Sequence, residues 1–118
     1  MDNQANSKEI PILAKFIQMY KIFYRYLELF PKKDKYALGA KCETTMIAVL
    51  ELLLAASRAE KNNKKNLISQ ASIKFDALKI FMRLTWELKI LDDKKYAELQ
   101  THLQEIGKMI GGWLRSLN

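Results

Sequence analysis

Between Pro11 and Leu117 the chain carries four helix-length stretches of apolar periodicity, divided by three short breaks. Long helices joined by short connections return beside one another, which predicts an all-α, antiparallel up-down-up-down four-helix bundle. The helical domain is expected over residues 10–118, with residues 1–9 as a polar tail unlike the apolar region of a signal peptide. Composition agrees: four Gly and two Pro in 118 residues leave too few turns for a β-sandwich, and 49% hydrophobic with 28% charged content is globular.

The breaks can be placed from local chemistry. The first helix starts at Pro11, tolerated in a first turn, and stops at Phe30, because Pro31 disfavours helix in the residue before it. PKKDK leads into a second helix from about Asp34 to Ala59. The polar stretch EKNNKKN (60–66) reads as a loop, with Asn66 capping a third helix from about Leu67 to Leu91. Asp92 or Asp93 then caps a fourth that ends near Leu117. The longest apolar run, Met46 to Ala56, contains Glu51 and falls well short of the roughly 20 residues that span a bilayer, so no membrane association is expected.

The helices differ in how much of their circumference is apolar. In the fourth, Tyr96, Leu99, Leu103, Ile106, Ile110, Trp113 and Leu117 form one seam, leaving Lys95, Glu98, His102, Glu105 and Lys108 for water. The third has a polar stripe of Ser72, Asp76, Lys79, Arg83 and Glu87 on an otherwise largely apolar surface. In the first, Gln18, Lys21, Arg25 and Glu28 share one narrow sector, with Lys15 nearby, and the second is nearly all apolar after Thr45. Helices one and two therefore carry apolar surface on more than one side. Either they are the most buried members of a monomer, or their second face is an oligomer interface that includes Phe16, Tyr20, Phe23, Tyr24 and Leu27.

Catalytic chemistry has little to work with. His102 is the only imidazole and reads as a solvated residue. Cys42 reads as a small buried residue with no His partner at a telling spacing. One cysteine cannot make an intramolecular disulfide, which points to a reducing, cytoplasmic setting, and one His with one Cys gives too few soft ligands for a metal site. No cofactor is expected. Gly107, Gly111 and Gly112 lie inside a helical pattern rather than after a strand, so they do not form a phosphate loop. They suggest close helix approach beside Trp113, or a locally weakened turn.

Charge is the stronger clue. The formal net charge is +7, with residues 32–65 contributing +4 and residues 92–118 contributing nothing. The excess clusters at Lys32, Lys33, Lys35 and Lys41 and again at Arg58, Lys61, Lys64 and Lys65. In an antiparallel bundle these groups lie at opposite ends of a helix roughly 40 Å long. Such clusters suit phosphate neutralisation by charge and shape, with no base-reading motif in view. The plainer alternative is that EKNNKKN is only a solvated loop.

Three segments carry a family resemblance: YRYLELFPKKDKYALGAKC (24–42), the apolar second helix, and above all EIGKMIGGWLRSL (105–117). They resemble the accessory variability determinant (Avd) proteins of diversity-generating retroelements, within the four-helix proteins encoded in intervening sequences of 23S ribosomal RNA genes. The Gly-Gly-Trp segment is the specific part, and Tyr-x-Leu-Gly (36–39) is shared more loosely. The resemblance implies a homopentameric barrel of four-helix bundles that binds RNA and DNA through a basic surface. It also implies association with a reverse transcriptase in mutagenic cDNA synthesis, without catalysis by the protein itself. Lys32, Lys33, Lys35 and Lys41 would match the basic features, with Lys79, Arg83, Lys108 and Arg115 as further candidates. The competing expectation is a four-helix interaction scaffold that docks on an acidic protein partner without touching nucleic acid.

Overall fold

The computed structural model describes residues 9–118, so the expected tail lies almost wholly outside the described residues. Four long helices account for most of them: α1 (Glu9–Leu27), α2 (Ala40–Arg58), α3 (Lys61–Glu87) and α4 (Asp93–Ser116). Each packs on its neighbours in sequence, and α1 closes the set against α4, which makes a four-helix bundle measuring 43 × 23 × 20 Å. There is no strand among the described residues.

The α1–α2 connection is more structured than expected. Backbone N–H groups of Leu29 and Phe30 donate to the carbonyls of Tyr26 and Leu27, and Pro31 then stops the helix. The chain re-enters helix at once through a turn at Lys32–Asp34, where Asp34 and Lys35 N–H both donate to the Pro31 carbonyl. A π-helical turn over Lys35–Gly39 follows before α2 begins. The wider turn presses buried Gly39 onto the end of α1, against Leu27 and Phe30.

EKNNKKN is not a loop. The break is confined to Ala59 and Glu60, both extended, and α3 starts at Lys61 with Glu60 in place of the expected cap Asn66. Lysine is a good helix former, and the stretch holds no Gly or Pro to oppose helix, so its polarity marks a solvated first turn. At its other end α3 stops at Glu87, earlier than Leu91. Lys89 adopts φ 62°, Ile90 N–H donates to the Thr85 carbonyl at 2.8 Å, and Lys89 N–H donates to the Trp86 carbonyl at 2.9 Å. This is a Schellman C-cap with lysine where glycine is usual. Asp92 then caps α4, accepting from Lys95 N–H at 2.8 Å. The corner is tied by Trp86, which stacks on Tyr96 at 4.9 Å and donates its indole N–H to Asp93 Oδ1 at 2.7 Å.

The core follows the predicted seams. Leu99, Leu103, Ile106, Ile110 and Trp113 of α4 are buried, as are Ile68, Ala71, Phe75, Leu78 and Met82 of α3. The apolar surplus is distributed differently from expectation. Phe16 and Phe23 are fully buried in the protomer, so they offer no surface to a second copy, while Tyr20 and Leu27 are half-buried. Both flanks of α1 are taken up, by α2 and α4, and among the five expected interface residues only Tyr24 is exposed. Outward apolar residues remain on α1, with Ile17 and Tyr24, on α2, with Ile47 and Leu54, and most densely on α3. On α3, Ile73 (70% exposed), Ile80 (54%) and Leu84 recur at helical spacing, continued by Leu88 at its C-cap.

Candidate nucleic-acid interface

A groove runs along the α3–α4 seam. From α3 it takes Ser72, Phe75, Asp76 and Lys79, and from α4 it takes Leu103, Gln104, Gly107, Lys108 and Ile110. Both sets follow the three-and-four spacing that puts residues on one side of a helix. Phe75, Leu103 and Ile110 belong to the core and form an apolar floor, above which the polar side chains stand as a rim. The groove holds about 350 Å³. The Lys79 ammonium lies 3.2 Å from Asp76 Oδ1 and 5.8 Å from the centre of the Phe75 ring, in a solvent-accessible pair. Gly107 contributes no side chain here, and among the described residues of other elements a β-carbon on it would meet only Phe75, at an ordinary 3.5 Å.

The eight cations singled out in the sequence do not form one patch. Lys79 and Lys108 share the α3–α4 groove. Arg83, one turn beyond Lys79, is held by Glu87 at 2.8 Å, and that carboxylate raises the guanidinium pKa further. Arg115 folds back along α4, its guanidinium nitrogens 3.4 Å and 3.9 Å from where β-carbons on Gly111 and Gly112 would lie. These two glycines therefore border an arginine, not a closely approaching helix, and α4 passes through them unbroken. Lys32 and Lys33 are exposed beside the α1–α2 turn, with Lys35 half-buried at the start of the π turn. Lys41 sits on the α2–α3 side, its ammonium 5.8 Å from the Phe81 ring centre.

Sequence reasoning missed Ser72, Gln104 and Gly107 as groove residues, because a groove between two helices has no signature in either helix alone. It also missed a strip on α1 where Lys21 and Arg25 flank Tyr20 and Tyr24 around a shallow groove of about 360 Å³. The periodicity placed Lys21 and Arg25 correctly on the outer sector. Tyr24, expected at an oligomer interface, is exposed here and borders this groove.

Cys42 is fully buried, and desolvation pushes its thiol up to about 12, which suppresses the thiolate. His102 is half-buried rather than solvated, and its Nδ1 is shielded with no hydrogen-bond partner among the described residues. The reason is its place on α4. Glu98 accepts from the Tyr26 hydroxyl and Glu105 pairs with Lys15 at 3.2 Å, so the face shared by residues 98, 102 and 105 lies along α1. Among the described residues no group of three or more His, Cys, Asp or Glu could hold a metal ion. No helix among them is long and apolar enough to cross a membrane.

No curated protein and no solved structure matches the chain. A family model described as bAvd-like matches residues 11–117, in agreement with the resemblance of the Phe-Pro-Lys turn and the Gly-Gly-Trp segment. With nearly its whole length matched, the chain belongs to the bAvd-like family, an accessory, non-catalytic family of diversity-generating retroelements.

Proposed function

We propose that the protein is a non-enzymatic accessory factor that binds RNA and DNA through its basic surface and associates with a retroelement's reverse transcriptase to support mutagenic cDNA synthesis. The observation that carries this reading is family membership over residues 11–117. A net charge of +7 on a small domain supports it, as does a groove bordered by Lys79 and Lys108. Binding by ammonium and guanidinium groups releases condensed counterions, so affinity follows charge and shape more than base sequence.

Self-assembly completes the reading. The outward rows on α2 and α3 offer the apolar surface an oligomer needs, and a closed ring of about five copies is the arrangement proposed. Such a ring would multiply the +7 of each chain to about +35, a field that attracts an anionic polymer.

The test is a salt titration of binding to RNA and to single-stranded DNA, run against a charge-matched acidic protein. The reading expects log affinity to fall linearly with log salt, with a slope of about −0.7 per single-strand phosphate neutralised. A folded, multimeric protein that binds no nucleic acid even in low salt would overturn it. Retention of the acidic protein alone would transfer the function to a protein-interaction scaffold.

A further inference from the structure

We infer that the α3–α4 groove is a single-strand site that receives one unpaired nucleotide, its phosphate held between Lys79 and Lys108 and its base lodged in the notch at Gly107. The inference rests on the proposed nucleic-acid function and specifies where and in what form the polymer is held.

Glycine at position 107 is the observation that needs explaining. In a helix interior it is about 1 kcal/mol less favourable than alanine. Its neighbourhood does not demand it: the backbone is ordinary α-helix with no positive φ, and a β-carbon would meet only Phe75 Cε2 at 3.5 Å. Neither tight packing nor unusual conformation excludes a β-carbon there. The absent side chain does one thing, which is to keep the groove open above the edge of Phe75.

The lining says what enters. Lys79 and Lys108 stand on opposite walls and Asp76 is the only carboxylate among the lining residues, so the groove favours an anion. Asp76 already faces Lys79, 3.2 Å away. Gln104 offers both a donor and an acceptor, and Ser72 a hydroxyl, the groups that read the edge of an unstacked base. A volume of about 350 Å³ over an apolar floor lies at the small end of ligand sites, enough for one nucleotide and too small for a duplex. A flat base with a phosphate at one side matches this combination of apolar floor, polar rim and paired cations better than a string of carboxylates does.

The experiment compares binding of a short oligouridine with that of an RNA duplex of equal length, by fluorescence anisotropy. It uses wild-type protein, Gly107→Ala and the double variant Lys79→Gln/Lys108→Gln. Thermal melting followed by circular dichroism checks each fold; Gly107→Ala should melt no lower than wild type, and the double variant changes only exposed side chains. The expected result is a loss of about tenfold in oligouridine affinity in both variants, the scale of one base contact, with duplex affinity nearly unchanged. Wild-type affinity for both ligands in both folded variants would overturn the site while leaving the proposed function standing. Equal losses for strand and duplex would reduce the groove to a general basic patch and overturn the single-strand assignment. Wild-type protein that binds neither RNA removes the proposed function, and the site with it. Polyglutamate that displaces bound oligouridine from wild type, and binds both variants more weakly, would reassign the groove to an acidic peptide.

Discussion

Gly39 lies so close to Leu27 that a β-carbon added to it would stand 2.6 Å from Leu27 Cδ1. The same carbon would stand 3.1 Å from the Asp34 carbonyl oxygen, a backbone atom that cannot rotate away. Gly39 has φ −60°, so conformation is not the constraint; proximity is. The close contact seats the π turn on the end of α1 and gives the Tyr-x-Leu-Gly motif a mechanical reason. Gly39→Ala is expected to destabilise the fold by about 1–3 kcal/mol through overpacking. A lower urea midpoint at unchanged slope would show it, and an unchanged midpoint would refute the contact.

Lys89 carries the opposite expectation. At φ 62° it occupies the left-handed position of the α3 C-cap, where an L side chain is disfavoured by about 1–2 kcal/mol. Lys89→Gly relieves that strain at the expense of a more flexible unfolded chain, for a net gain of about 0.5–1 kcal/mol. A rise in melting temperature confirms it, and a fall would mean that the lysine side chain contributes more than its backbone loses.

Cys42 should be silent in the native state. Its thiol is buried and pushed up to about 12 by desolvation alone. Ellman's reagent is therefore expected to leave the folded protein unlabelled at neutral pH and to react fully once urea unfolds it. Rapid labelling of the native protein would contradict the burial.

The Tyr20 hydroxyl donates to Glu43 Oε2 at 2.6 Å, and this bond, with partial burial and the carboxylate's charge, raises the phenol from 10.0 to about 12. Because the folded value lies above the unfolded one, the tie stabilises fully below pH 10 and is lost as pH rises toward 12. In an alkaline titration read by tyrosinate absorbance, Tyr20→Phe should remove a component ionising near pH 12. The stability difference between the two proteins should shrink above pH 10. A difference that grew with pH would contradict the bond's direction.

Periodicity reads well where a helix has one apolar stripe and strong punctuation, as α4 does with Asp92 before it and the Leu99–Trp113 seam along it. It fails where punctuation is weak. Ala59 and Glu60 break the chain without Gly or Pro, so the polar residues after them look in the sequence like the loop itself. Lys89 adopts a glycine conformation without being glycine, so the sequence places the end of α3 too late. A π turn adds a residue to a helix without changing its composition, and nothing in Lys35–Gly39 announces it beyond the glycine. At the candidate site, the cations Lys79 and Lys108 were legible one by one. Their meeting across a groove depends on the pairing of α3 with α4, which no single helix encodes.

Native mass spectrometry of the full chain mixed with a short RNA tests assembly and nucleic-acid binding in a single spectrum. The expected particle contains about five copies of the 13.8 kDa chain with RNA attached. A folded 13.8 kDa monomer that carries no RNA would contradict both the oligomer and the nucleic-acid function.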